Sequence, residues 1–377
     1  MTIGIDAHFI EGERTGVGRY LFNLLSEWSK LDPKSQIPNP KFILYFKDKI
    51  PADLPKSLSF ESKLLKVSST AKFVHWNLWR AAKKDKIDIL FCPGYIAPLF
   101  WRGRLALTLH DIIYEAHPEW FNWRSPADRI LLKWVSKKSA AKASIIFVPS
   151  EFSKSEVVKF YKIDPTKIIL TYEAADQDLS AIEPEKSKLA GRYEIKKRFA
   201  FYIGSIFSRR HLPEVIAAFE KIASADSDIQ FLISGRDHTK GKTVERLADE
   251  LNQRLDRQAI LRVDYVSESD LKLLYRRCAF FIWLSDYEGF GLPPLEAAAS
   301  GAAVITSDSS SLKEMVGDAA ILVKNNSDIT EIYQAMKKLN EDGLLRSQLI
   351  EKGKSQAAKF SWAKCASQTF EAIIKNR

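Results

Sequence analysis

Cysteine is nearly absent from this sequence: three in 377 residues, Cys92, Cys278 and Cys365, far apart and odd in number. That pattern excludes a disulfide framework and gives no zinc-binding spacing. Few unpaired cysteines fit a reducing compartment, so the expected location is cytoplasmic. Long apolar runs are missing as well. The stretch "IDILFCPGYIAPLF" is broken by Pro93, Gly94 and Pro98, short of the roughly 18 uninterrupted residues that a membrane-spanning helix needs. The start, "MTIGIDAHF", lacks a basic segment ahead of an apolar core, so no secretory signal is expected. Acidic charge is in deficit. The net charge is +10, of which residues 1–180 carry +7 and residues 181–377 carry +3.

Much of the basic excess lies in two tryptophan-containing segments, "AKFVHWNLWRAAKKDK" (71–86) and "FNWRSPADRILLKWVSKKSAAK" (121–142). Two readings stay open. Trp and Phe beside Lys and Arg suit an anionic membrane surface or a lipid phosphate, and they equally suit packed helices with a solvated charged face. No nucleic-acid-binding motif accompanies the charge, so no nucleic-acid partner is expected.

What is present in quantity is apolar residue, 46% of a chain too long for one typical core. Short apolar runs at 2–6, 41–46, 87–92, 105–111 and 143–150 alternate with helix-like segments. A second series runs through 198–206, 229–235, 259–266, 278–285 and 302–306. This rhythm predicts two α/β domains with doubly wound parallel sheets. The expected boundaries are a first domain over 1–180, a polar linker over 181–197 and a second domain over 198–360. A terminal helix over 361–377 is expected to pack back on the first domain.

The second series contains "YEGFGLPPLEAAASGAAVI" (287–305), two glutamates eight positions apart. On one helix they would lie about 12 Å apart and turned roughly 80° from each other. Pro293 and Pro294 argue instead for a helix that begins there, with Glu288 in the preceding loop and Glu296 in the first turn. Gly301 suits the left-handed end of that helix. The loop then falls at the carboxyl end of a parallel strand, where open α/β sheets bind ligands. Backbone N–H groups of Gly289, Phe290, Gly291 and Leu292, with the helix N-terminus, suit an anionic or hydroxyl-rich ligand.

The first strand of that domain ends in "GSIFSRRHLPEVI" (204–216), where Arg209 and Arg210 precede a helix beginning near Leu212 or Pro213. Two guanidinium groups at a helix start suit phosphate. In the first half, "GERTGVGRYLFNLL" (12–25) fails as a dinucleotide fingerprint for want of a third glycine. Gly16 and Gly18 would still permit close backbone approach to a phosphate or sugar, or form a tight turn only. "LTLHDIIYEAHPEW" (107–120) puts His110 and Asp111 at a strand's carboxyl end. A histidine beside an acid there is a candidate for chemistry. His8, His75, His117, His211 and His238 have less positional support.

With these residues in view the chain resembles the retaining glycosyltransferases of family 4, over nearly its whole length. "EGFGLPPLEAAASG" matches the family's paired-glutamate signature; "TGVGRY", "LHD", "VPSEFSKSEVV", "YIGSIFSRRHL", "YVSESDL" and the terminal "FSW" support it. The resemblance implies the GT-B fold, two Rossmann-like domains facing across a cleft. It implies that Glu296 binds the nucleotide ribose and Glu288 the donor sugar's hydroxyls. By the same resemblance the 289–292 backbone holds sugar and phosphate oxygens, and Arg209 and Arg210 neutralise the diphosphate. Gly16 approaches it from the other domain, and His110 meets the sugar near the reacting carbon. There are departures. Arg209–Arg210 stands where relatives usually carry arginine–lysine, Ser205 where some carry arginine, and "YEAAD" (172–176) where "PNG" is common.

The expected reaction is transfer of a sugar from a nucleotide diphosphate sugar to an acceptor hydroxyl with retention. The first choice is mannose from GDP-mannose, in surface polysaccharide or glycolipid assembly. No cofactor and no metal are expected, because the arginines and the helix start would stabilise the leaving diphosphate. The partners expected are the donor and a glycan or lipid-linked acceptor, with peripheral contact to an anionic membrane. The rivals are a retaining glycosidase, which needs its carboxylates about 5 Å apart, a nucleotide-sugar epimerase, and a non-catalytic nucleotide-sugar-binding protein.

Overall fold

The computed structural model describes residues 1–12, 14, 16–31, 40–121, 123, 125–175, 191–195 and 198–375. Of the linker expected over 181–197, only 191–195 fall among them, and Asp176 of "YEAAD" lies outside. The described residues form two compact units, Met1–Glu173 with Ser361–Arg377, and Ala174–Phe360.

In the first unit β1 (Thr2–Asp6), β2 (Lys41–Phe46), β3 (Phe60–Leu64), β4 (Ile89–Cys92), β5 (Arg104–Thr108), β6 (Ile145–Val148) and β7 (Ile168–Leu170) form a sheet. Its order is 3-2-1-4-5-6-7 and its pairs are parallel. The second unit pairs β8 (Arg198–Ile203), β9 (Ile229–Ser234), β10 (Ile260–Val263), β11 (Phe280–Trp283), β12 (Val304–Ser307) and β13 (Ala320–Val323). Its order is 10-9-8-11-12-13, again parallel. Central strands such as "ILFC" and "FFIW" are buried at every position, which is why they read as unbroken apolar runs.

Three strands escape the sequence reading, β3, β7 and β13, and all three are sheet edges. An edge strand needs one apolar face at most. "FESKL" is accordingly half-exposed and polar, with Lys41 and Lys63 paired to Glu61. The helix-like segment "VHWNLWRAAKK" (74–84) is not one regular helix. A π-helical turn, Phe73–Leu78, sits between Thr70–Lys72 and the helix Trp79–Lys84. It buries Phe73, Val74 and Leu78 and leaves Trp76 on the surface.

Helix Trp362–Lys375 packs on helix Val17–Trp28 of the first unit. The Trp28 indole donates to the Ala366 carbonyl at 2.9 Å, and its ring lies near Phe370 and stacks on Phe42. Full burial of side chains of this kind stabilises by about 1.5–3 kcal/mol each. Among the described residues no helix is long and apolar enough to cross a membrane.

Candidate active site

In both sheets the strand order reverses beside the first strand, between β1 and β4 and between β8 and β11. Loops leaving the carboxyl ends of such a pair diverge, and ligands bind in the gap. In the second unit those loops are 204–211 after β8 and 284–291 after β11. They carry the two motifs that the sequence singles out.

Gly204 turns the chain with φ of +129°, and a β-carbon there would stand 2.6 Å from the Trp283 ring. Trp283 stacks on Tyr202, 5.1 Å away, and the Arg210 guanidinium lies 4.1 Å over the Trp283 ring. Arg210 is thereby held in place as well as charged. It also donates to the Ser205 carbonyl. Its Nη2 lies 3.2 Å and its Nε 3.3 Å from Glu288 Oε1, with side-chain exposures of 10% and 16%. Burial, the largest single influence, works against the guanidinium's charge, but Glu288 and Tyr202 together outweigh it and raise the pKa above the ordinary arginine value. The two motifs are thus joined by an ion pair, where the sequence reading assigns them separate ligand contacts. Arg209 stacks over Phe207 at 4.6 Å, and its carbonyl accepts from the Asp286 N–H.

Helix Leu292–Ala299 follows, with the prolines in its first turn and Gly291 at its N-cap, φ +102°. A β-carbon on Gly291 would meet Leu312 at 2.8 Å, so this turn too requires glycine. Pro293 and Pro294 have no N–H, so the donors for an anion come from the loop before the helix more than from the helix itself. Phe290 is buried, its ring edge-on to Phe360 at 5.9 Å. The helix begins at Leu292, so Glu296 is its fifth residue, just past the first turn expected for it. It is buried, and its Oε2 accepts from the Tyr275 hydroxyl at 3.4 Å. Gly301, φ +89°, ends the helix as expected.

A serine-rich turn after β12 shapes the Glu288 loop, which the sequence reading overlooks. Ser310 Oγ accepts from the Glu288 N–H at 3.1 Å. Ser311 Oγ lies 2.8 Å from the carbonyl oxygens of both Glu288 and Phe290. Ser307 donates to Asn326 Oδ1 at 2.7 Å, and Asn326 Nδ2 donates to Asp286 at 2.8 Å. Asp286 in turn lies 2.7 Å from His211 Nε2. The run "TSDSSS" (306–311) is the one signal that could have drawn attention to this support.

His211 occupies a left-handed conformation, φ 51°, between the arginine pair and helix Leu212–Ala225. Burial opposes its charged form, but the hydrogen bond to Asp286 and the Glu214 carboxylate, 3.7 Å from Nδ1, prevail and lift its pKa from 6.5 to about 9. A folded-state pKa above the unfolded one stabilises most at low pH. The contribution is complete below about pH 6.5, declines above it and is lost beyond about pH 9. The melting temperature is therefore expected to fall across that window in the parent protein and to fall less in His211→Gln. Parallel declines in the two proteins would rule out His211 as the source.

In the first unit Gly16 caps helix Val17–Trp28 with φ of +41°, and a β-carbon there would meet nothing within 4 Å. The same helix brings Tyr20 edge-on to His110 at 4.8 Å. His110 follows β5, but its acid is Glu173 and not the adjacent Asp111. Nδ1 lies 2.8 Å from Glu173 Oε1, and Nε2 lies 2.9 Å from the Pro93 carbonyl. Each ring nitrogen faces an acceptor, an arrangement that the doubly protonated ring satisfies. Burial lowers the pKa, yet Glu173 raises it further, for a net upward shift. With an acceptor at each nitrogen, the ring is better placed to donate than to accept a proton. His8 also gains a partner, with Nδ1 2.6 Å from Asp6 at the end of β1. The structure thus gathers Arg209, Arg210, Glu288, 289–292 and Glu296 in the second unit, and Gly16 and His110 in the first.

Two family models match adjoining parts of the sequence: Glycosyltransferase Family 4 over residues 14–179, and Glycosyl transferases group 1 over residues 185–356. The chain belongs to these glycosyltransferases. It is 28% identical to O-antigen chain mannosyltransferase B of Escherichia coli over 95% of both chains. It is 25% identical to O-antigen chain mannosyltransferase RfbU of Salmonella typhimurium over 76% of both. Among solved structures, sucrose-phosphate synthase from Thermosynechococcus elongatus superposes with a TM-score of 0.74. That likeness covers 99% of this chain and 98% of the other at 16% identity. The glycosyltransferase accordingly has the GT-B fold, built from the two Rossmann-like units described above.

Proposed function

We propose that this glycosyltransferase moves mannose from GDP-mannose to a hydroxyl of a growing surface polysaccharide or lipid-linked glycan. The anomeric configuration is retained and no metal takes part. The mannose assignment is supported by the two mannosyltransferase relatives. The observation that carries the reading is the meeting of two loops at the β8/β11 reversal. One bears Arg209 and Arg210, the other a glycine loop, and an ion pair joins them.

Departure of a nucleoside diphosphate builds negative charge on phosphate oxygens, and stabilising that charge is the main catalytic task. Arg209 and Arg210 supply it in a fixed fork geometry. As Arg210 turns to phosphate, Glu288 becomes available to the sugar's hydroxyls, so one exchange of partners serves both ends of the donor. Glu296, on the following helix, takes the ribose. His110, hydrogen-bonded at both ring nitrogens, serves as an electrostatic and positioning group. The glycosidase reading gains nothing from this geometry, since Glu288 answers to a guanidinium and Glu296 to a tyrosine hydroxyl.

The test is incubation of the purified protein with GDP-mannose and a mannose-terminated acceptor. Expected are GDP release coupled to an α-linked product, full activity in excess EDTA, and a fall of about 10²–10³ in kcat for Glu288→Gln. A β-linked product would remove the retention claim, and loss of activity in EDTA the metal claim. Hydrolysis of a simple glycoside, or epimerisation of the free nucleotide sugar, would replace the reading altogether.

A further inference from the structure

One face of the first unit combines aromatic and basic side chains in a way that neither its core nor the donor site uses. Between helix Trp79–Lys84 and residues 99–103 lies a groove of about 730 Å³. Its aromatic wall is a ladder: Trp76 is 5.7 Å from Trp79, and Trp79 is 5.8 Å from Phe100. Trp76 is 41% and Phe100 58% exposed, which is unusual for rings that could have been buried. The π-helical turn Phe73–Leu78 holds Trp76 outward, and such turns are often retained at functional places.

The groove's charged lining is of one sign. Lys83, Lys86, Arg102 and Lys142 line it, all four are exposed, and no carboxylate is among the lining residues. Arg80 lies over the Trp76 ring at 4.3 Å. Lys142 is also the last residue of helix Pro126–Lys142. Leu131, Trp134, Lys138 and Lys142 recur at three- and four-residue spacing and share one side of it. Leu131 is 57% and Trp134 50% exposed. The helix's one carboxylate, Asp128, is in its first turn, at the end away from the groove. Lys142 belongs to both surfaces and donates to the Leu99 carbonyl beside Phe100.

The geometry points to a docking face for an anionic lipid bilayer. The tryptophans, Phe100 and Leu131 enter the headgroup–acyl boundary while the lysines and arginines meet lipid phosphates. A packed helix with a merely solvated charged face would not expose Leu131, Trp134, Trp76 and Phe100 together. Aromatic rings with a polar edge favour the membrane–water boundary, and cations beside them favour anionic headgroups. The inference rests on the proposed function only for its purpose, which is to bring the enzyme to a lipid-linked acceptor. Its test does not depend on that function.

The full chain would be sedimented with vesicles of phosphatidylcholine alone, and with vesicles in which about a third of the lipid is phosphatidylglycerol. Screening shortens from about 10 Å at 0.1 M salt to about 3 Å at 1 M, so binding should be confined to anionic vesicles and weaken with salt. Lys83→Glu with Lys86→Glu and Arg102→Glu should reduce it by about tenfold or more. Trp76→Ser with Phe100→Ser should remove the residue of binding that survives high salt. The melting temperature of both variants should match that of the parent protein, which reports that they fold. Absence of binding to anionic vesicles would overturn the inference, as would binding indifferent to both sets of substitutions. Binding of inorganic pyrophosphate that is lost in the Lys83→Glu, Lys86→Glu, Arg102→Glu variant, without vesicle binding, would assign the groove to a soluble anion and overturn it too. An enzyme that transfers sugar yet ignores vesicles would leave the proposed function standing and this inference refuted.

Discussion

Arg210→Ala is expected to cost the enzyme both stability and rate. Removing one member of a buried ion pair leaves the other uncompensated, and such losses run to about 3–5 kcal/mol. Glu288 is the group left behind, with 16% of its side chain exposed. For a unit of this size about 3 kcal/mol corresponds to a drop in Tm of roughly 6–12 °C. The Trp283 face loses its guanidinium at the same time. If Arg210 meets the leaving phosphate as proposed, transfer should fall by about 10²–10³ under saturating donor. Arg210→Lys separates charge from shape. It keeps the charge but loses the flat stack and the fork, so an intermediate rate is expected. Arg210→Met combined with Glu288→Leu should recover most of the stability, because paired removal leaves no lone buried charge, and should remain inactive. A double variant as unstable as Arg210→Ala would show that the pair is not the source of the loss.

Gly204→Ala is the second large effect, and it reaches the same site through packing. The residue has φ of +129°, where L side chains rarely go, and its β-carbon would stand 2.6 Å from Trp283. Backbone strain of about 1–3 kcal/mol adds to overpacking of similar size. Relief requires Trp283 to move, and Arg210 rests on Trp283. Donor affinity should therefore fall together with Tm. Gly16→Ala is the contrast. Its φ of +41° also favours glycine, but its β-carbon would meet nothing within 4 Å. Only the backbone term applies there, about 1–2 kcal/mol. If Gly16 lies against the donor, its substitution should depress transfer more than stability. Equal effects of the two substitutions on Tm would contradict this account of the β8 turn.

What could be read from the sequence follows the chemistry of each element. Central strands such as β4 and β11 announce themselves because burial on both faces demands uninterrupted apolar residues. The edges β3, β7 and β13 do not, since half-exposure permits "FESKL" and three- or four-residue strands. The glycine loop before helix Leu292–Ala299 was legible because proline, glycine and a helix start constrain one another locally. The partners of the site residues were not legible. Glu288 with Arg210, His110 with Glu173 and His211 with Asp286 are pairs 78, 63 and 75 positions apart. Strand order creates such contacts, and no local pattern records them. His211 drew little notice as a lone histidine, although it ties the arginine turn to the β11 loop.

The central claim is that the donor's diphosphate lies at the β8/β11 reversal and takes Arg210 from Glu288. A crystal structure of the protein soaked with GDP-mannose tests it most directly. The account predicts phosphate oxygens within hydrogen-bond distance of the Arg209 or Arg210 guanidinium and of N–H groups in 289–292, with the Arg210–Glu288 pair opened and Glu288 on the hexose. Phosphates bound elsewhere, with that ion pair intact, would contradict it.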